Sequence, residues 1–167
     1  LREIGPRVHH FMKVRYNNTR QFEYEIWKSN PLKKLTRQLR AINSLSALSS
    51  QKLPKYFDIL LALQCQPERA ITPCATPFYN QLFVLDYLNS LFQKNHSGPL
   101  EKIVVKEHPS QLRPYQRAYL GRTPLFYENL AKDPRVVLAP ESSNNKDLIE
   151  RCGIVVGTSG NICFEAY

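Results

Sequence analysis

The chain has 167 residues, 43% of them apolar, which suffices for one domain with a core and excludes wholesale disorder. Residues 1–55 hold 12 Lys and Arg against 3 acids, whereas residues 56–167 hold 11 of each, so the whole basic excess lies in the first third. No run approaches the roughly 20 apolar residues of a membrane-spanning helix, and Leu1-Arg2-Glu3 does not open a signal peptide.

The basic third can be a solvated helical face, an attraction to anionic lipid or a nucleic-acid patch. Nucleic acid is the weakest of these, because no aromatic stacking motif accompanies the charge. Cys65, Cys74, Cys152 and Cys163 have neither Cys-x-x-Cys nor metal-ligand spacing, and no metal is expected. Cys152 and Cys163 lie in apolar stretches and are expected as reduced, buried thiols in a reducing compartment.

Residues 7–29 are polar and aromatic with weak helical periodicity, broken at Asn30-Pro31. Leu32, Leu35, Leu39 and Ile42 then follow helical spacing, with Lys33, Lys34, Arg37 and Arg40 between them. Residues 44–54 read as a linker, so the expected division is a basic helical segment over 1–54 and an α/β domain over 55–167. Residues 56–63 form a strand run, and Thr76-Pro77 opens a helix carrying Leu82, Leu85, Leu88 and Leu91. A second strand is expected at 102–105, a helix from Thr123-Pro124 to Leu130, and a third strand at 136–139. A short helix around 146–151, a fourth strand at 154–156 and a helix from Asn161 complete the pattern. Strand and helix alternating at this spacing specify a Rossmann-like parallel sheet with helices on both faces. The last helix is barely a turn long at Tyr167, too short to cover a sheet face, so a longer chain is expected to continue past it.

In open α/β sheets ligands bind beyond the carboxyl ends of the strands. Four polar tips fall there. Lys106-Glu107-His108-Pro109-Ser110 is the sharpest, because Pro109 pushes His108 towards extended backbone. His108 can then donate to a phosphate oxygen or take part in proton transfer, with Lys106 and Arg113 beside it. The alternative is a histidine held by a neighbouring carbonyl. Gly157-Thr158-Ser159-Gly160 precedes a helix and offers amides and hydroxyls to an anion, or simply caps the helix. It lacks the lysine of a Walker loop. Glu165, inside that helix, can reach a ribose diol or be a solvated residue. Gln66-Pro67-Glu68 offers Gln66 and Glu68 for sugar contact or base work, or is a polar turn. Glu141 and Ser142 at the third tip are equally compatible with turn chemistry.

The series Leu-Gln-Cys-Gln-Pro-Glu (63–68), Val-Val-Lys-Glu-His-Pro (104–109), Leu-Ala-Pro-Glu-Ser-Ser (138–143) and Gly-Thr-Ser-Gly with Glu-Ala (157–166) resembles the donor-binding half of bacterial capsule and surface-polysaccharide glycosyltransferases. These are similar to sialyltransferases and Kdo transferases of GT-B architecture. The resemblance covers residues 55–167, while residues 1–54 match nothing in it. It implies a metal-independent transferase without a cofactor, using a nucleotide-activated sugar such as a CMP-sugar and a glycan acceptor. The expected location is cytoplasmic, with the basic residues 1–54 as the candidate contact to the anionic inner face of the plasma membrane. The likeness implies that His108, Thr158 and Ser159 contact donor phosphate and that Gln66-Pro67-Glu68 lies near the donor sugar; with the chemistry of the tips, Glu68 and His108 are the catalytic candidates. Gln66, Lys106, His108, Arg113, Glu141, Ser142, Thr158, Ser159, Gly160 and Glu165 are the donor-binding candidates. The half that supplies the acceptor site has no counterpart in these residues. A non-hydrolysing nucleotide-sugar epimerase and a non-catalytic binding module stand as alternatives. Three expectations follow: a four-stranded parallel sheet, a basic segment packing as helices with salt-sensitive attraction to anionic lipid, and convergence of His108 with Thr158-Ser159 on one phosphate site.

Overall fold

A computed structural model describes residues 31–49, 52–66, 78, 80–95, 102–113, 122–158 and 162–167. The first described element is helix α1, Pro31–Leu48. Its start on a proline costs nothing, since the first-turn amides have no partner in a helix. Ala41 and Leu45 are buried, and Ile42 and Leu48 pack against the same cluster. The buried Gln38 amide donates to the Arg113 carbonyl. Two sequence expectations change here. Residues 44–48, read as linker, are helix, because burial of Leu45 outweighs the indifferent propensity of the serines. Of the four residues at helical spacing only Ile42 joins the core, while Leu32, Leu35 and Leu39 face outward at 69%, 43% and 49% exposure.

Strands β1 (Phe57–Ala62), β2 (Ile103–Lys106), β3 (Val136–Leu138) and β4 (Cys152–Gly157) form one sheet in the order β3-β2-β1-β4, parallel throughout. The runs of β1, β2 and β3 are nearly continuously apolar because both their faces are covered, whereas the edge strand β4 is partly open, with Ile154 54% exposed. Between them lie α2 (Leu82–Asn95), α3 (Pro124–Ala131) and α4 (Asn145–Glu150), with α5 (Ile162–Glu165) after β4. The Thr123-Pro124 start acts as the sequence suggests, Thr123 accepting a hydrogen bond from the Phe126 amide with Pro124 behind it. At α4 the structure adds a cap of its own, Asn144 accepting from the Lys146 amide. The Thr76-Pro77 start of the second helix, the periodicity over 7–29 and the start at Asn161 lie outside the described residues.

Ile59, Leu61, Leu63, Ile103, Val105, Val136 and Leu138 pack with α1, with Val84, Leu85 and Leu88 of α2, and with Phe126, Tyr127 and Leu130 of α3. Leu60, Ala62, Val104, Val137 and Ala139 face the other way, onto Leu148 of α4 and Ile162 of α5. That division follows from the strand order. Crossovers of one hand place their helices on one face while the chain steps outward from β1 to β3. They use the opposite face when it returns past β1 to β4. The chain is therefore a Rossmann-like α/β fold. Its reversal point, the usual ligand crevice of such sheets, lies between β1 and β4.

Gly153 of β4 sits where an added Cβ would come 3.1 Å from the Asp58 carbonyl oxygen, so a larger residue there would need the β1 backbone to give by a few tenths of an ångström. Cys152 is half-buried, with its thiol donating to the Ile149 carbonyl, but Cys163 is exposed on α5 rather than buried as expected. The one-turn helix turns that residue away from the sheet. No described helix is long and apolar enough to cross a membrane.

Candidate functional site

The ladder registers locate the tips relative to one another. Ala62 of β1 stands opposite Lys106 of β2 on one side and Gly157 of β4 on the other. One residue further, Glu107, Leu63 and Thr158 form the next row. The β2 and β4 tips are thus not neighbours: the β1 tip runs between them, and two strand spacings, about 9–10 Å, separate their backbones. His108 and Thr158 share the carboxyl edge with the chain of Gln64, Cys65 and Gln66 between.

Pro109 acts on His108 as expected, with φ −70° and ψ 129°, extended backbone ahead of a short 3₁₀ turn at Pro109–Gln111. The imidazole caps that turn, its Nδ1 accepting from the Ser110 amide at 3.2 Å. In the neutral ring the proton therefore sits on Nε2, which is left as a donor. The histidine is thus held by a backbone amide rather than a carbonyl, and the cap orients the ring instead of consuming it.

Behind His108 lies a buried polar network. Glu107 and Arg122 are each 2% exposed and pair at 2.6 Å through Nε and Oε2. Glu107 also accepts from the Tyr127 hydroxyl at 2.9 Å and, through Oε1, from the His108 amide at 2.7 Å. Arg122 further donates to Gln66 Oε1 at 2.8 Å and to the Gln64 carbonyl at 3.0 Å, and lies 4.4 Å over the Phe126 ring. Burial, then the Glu107 carboxylate, push the Tyr127 phenol far above its usual range, so it acts as a donor.

Two glutamines complete this frame. The Gln81 side chain accepts from the Gln64 amide at 2.9 Å and returns a bond to the Gln64 carbonyl at 3.0 Å. Gln111 does the same for Gln66, at 2.6 and 3.1 Å. The β1–β2 ladder ends with Leu63 N donating to the Lys106 carbonyl. Beyond it, each side-chain amide pairs with the backbone of the extended chain as a neighbouring strand would. Gln66, read from sequence as a ligand contact, has both its backbone and its side-chain oxygen committed here.

Lys106 is likewise turned inward. Its ammonium donates to the Pro140 carbonyl at 3.0 Å and the Glu141 carbonyl at 2.6 Å, fastening the third tip to the second. Burial pulls its pKa down, opposed by the Glu141 and Glu107 carboxylates. Glu141 and Ser142 are exposed in the turn that Ser143 closes onto the Pro140 carbonyl. The Arg113 side chain is exposed beside the tip. Glu165 is exposed at the end of α5.

At the fourth tip, Thr158 Oγ1 is buried without a hydrogen-bond partner. Native structures seldom leave a buried hydroxyl so. Glu68, Ser159 and Gly160 lie outside the described residues. Among the described residues no three His, Cys, Asp or Glu side chains are grouped to hold a metal ion.

Sequence reasoning missed Arg122, Gln81, Gln111 and Tyr127. The one local hint was a charge placed directly before the Thr123-Pro124 helix start, where α3 already has its cap. What the edge offers a ligand is an Nε2–H donor on a ring oriented by its cap and a hydroxyl lacking a partner beside the reversal point between β1 and β4. No protein-family model, curated protein or solved structure matches this chain.

Proposed function

We propose that the carboxyl edge binds the phosphate of a nucleotide-activated sugar, and that the chain is the donor-binding domain of a cytoplasmic glycosyltransferase of the surface-polysaccharide kind. The observation that carries this reading is the unpartnered Thr158 hydroxyl at the reversal point of the β3-β2-β1-β4 sheet. His108 stands across the β1 tip with Nε2 left to donate. A spacing of about two strands suits a group with several acceptor oxygens better than a single small anion. The four sequence runs resembling polysaccharide glycosyltransferases support the sugar and the transfer. Glu107, committed to Arg122, Tyr127 and the His108 amide, orients the edge and is not a free base.

The test is titration calorimetry of the full chain with CMP, UDP, GDP and ADP. At least one nucleotide should bind, and His108→Ala should weaken it by about 1.5–3 kcal/mol, the worth of a hydrogen bond to a charged group. Thr158→Val keeps the shape and removes the orphan hydroxyl. It should stabilise the unliganded protein by about 1 kcal/mol while weakening the nucleotide, because only the ligand satisfies that oxygen. Failure of all four nucleotides to bind, or unchanged affinity in both variants, refutes the reading.

A further inference from the structure

Helix α1 breaks two local rules at once. It carries Lys33, Lys34, Arg37 and Arg40 and no acid, with Lys33 and Lys34 in the first turn, where the helix dipole opposes cations. It also turns Leu32, Leu35 and Leu39 outward while Ala41 and Leu45 make the core contact. Departures from local preference with no gain to the fold mark a region under another demand. At 100° per residue, Leu35, Leu39 and Leu32 fall within an arc of about 60°, and Arg40 and Lys33 follow about 80–100° beyond Leu32. Ala41 lies about 120–180° and Leu45 about 80–140° around the helix from these leucines. The exposed half of the helix is thus itself divided into an apolar edge and a cationic edge.

We propose that this face of α1 docks on an anionic lipid surface, its leucines entering the boundary between headgroups and acyl chains and its bases meeting lipid phosphates. Charge complementarity selects this occupant. A nucleic acid would satisfy the bases but offer the leucines nothing to enter. A second copy would bring together two faces that each carry Lys33 and Arg40 beside the leucines and no acid, which repel. The leucine stripe is also only about 10 Å long, short for a stable protein interface but enough for shallow insertion. Gln38 of the same helix holds the Arg113 carbonyl just past the β2 tip, so the docking face and the carboxyl edge belong to one end of the domain. The inference does not depend on the glycosyltransferase reading.

The experiment is co-sedimentation of the full chain with vesicles of phosphatidylcholine alone and with 30% phosphatidylserine, at low and moderate salt. Two variants are compared with wild type, Leu32→Ser/Leu35→Ser/Leu39→Ser and Lys33→Gln/Arg40→Gln. All five positions are exposed, so folding should be retained, and far-UV circular dichroism checks it. Wild type should bind the anionic vesicles, more weakly as salt rises. The charge variant should lose about 25-fold, near fivefold per base. The leucine variant should lose at least about 10-fold. Equal binding to both vesicles, or no loss in the leucine variant, overturns the proposal. So does self-association that the leucine variant abolishes without any vesicle binding, or tighter binding to RNA that ignores the leucines.

Discussion

Replacing Arg122 by Met should be among the most damaging single changes this fold can suffer, although it exchanges a polar side chain for an apolar one of similar length. The wild-type guanidinium donates to both Glu107 oxygens, at 2.6 and 3.2 Å, to Gln66 Oε1, to the Gln64 carbonyl and, more weakly at 3.3 Å, to Gln81 Oε1. After the change the Gln64 carbonyl and Gln81 Oε1 still have each other's groups as partners, so their loss is small. Glu107 retains only the Tyr127 hydroxyl and the His108 amide for a carboxylate that is 2% exposed. Breaking a buried pair from one side costs about 3–5 kcal/mol, out of a total stability of about 5–15 kcal/mol. With a urea slope near 2 kcal/mol/M, the unfolding midpoint followed by far-UV circular dichroism should fall by about 1.5–2.5 M. The double variant Arg122→Met/Glu107→Leu should recover part of that loss. It should not recover all of it, since the Tyr127 hydroxyl and the His108 amide would then lose the Glu107 acceptor, at about 1–3 kcal/mol for each that stays dry. A midpoint change under about 0.5 M for Arg122→Met, or a double variant as stable as wild type, would show that the network contributes neither stability nor constraint beyond packing.

Lys106→Met should cost about 1–3 kcal/mol in the same urea experiment by releasing the Pro140 and Glu141 carbonyls; a neutral result would mean that those bonds only offset the burial of the ammonium. Hydrogen bonds from Arg135 hold the Asp133 carboxyl down to about 2, from 3.8 when unfolded. A depressed folded value stabilises above the unfolded one, so this contribution is complete above pH 4 and lost as pH falls through 2. It should amount to about 1–2 kcal/mol after solvent screening, and Asp133→Asn should flatten the stability profile between pH 4 and 2. An unchanged profile in that variant would assign the acid sensitivity elsewhere.

The sheet was legible because its signals are local. Each strand is a short apolar run, and starts such as Thr123-Pro124 place a donorless proline and a hydroxyl cap at adjacent positions. Parallel order then follows from alternation, since each crossover needs a helix. The face that α1 buries was not legible. Spacing reveals that leucines share a side of a helix, but it does not tell which side meets the core, and here that side is the one bearing Ala41 and Leu45. The serines at 44 and 46 suggested a linker because propensity was judged without the burial of Leu45, which a single sequence does not display.

The polar tips were found at the right edge of the sheet, yet several of their residues serve one another. Gln66, Lys106 and Glu107 all follow strands, as ligand-binding residues do, but their partners lie 34 to 56 positions away or arrive from a helix start, as Arg122 and Tyr127 do. No periodicity links such distances. There is a physical reason for spending polar groups in this way. Past the last ladder bond a parallel sheet has nothing to hold its strands apart or in line, and an extended chain with open amides would collapse or fray. Gln81 and Gln111 supply a side-chain substitute for the missing strand, one residue each, and Arg122 joins that frame to Glu107 and so to the His108 backbone. Rigidity of that kind matters most where a donor must already be aimed before its acceptor arrives, because an ordered edge pays no further entropy on binding. His108 and Thr158 fit that requirement from opposite directions. The one is turned by its cap so that Nε2 is left to donate, and the other stays buried with its hydrogen-bonding capacity unspent.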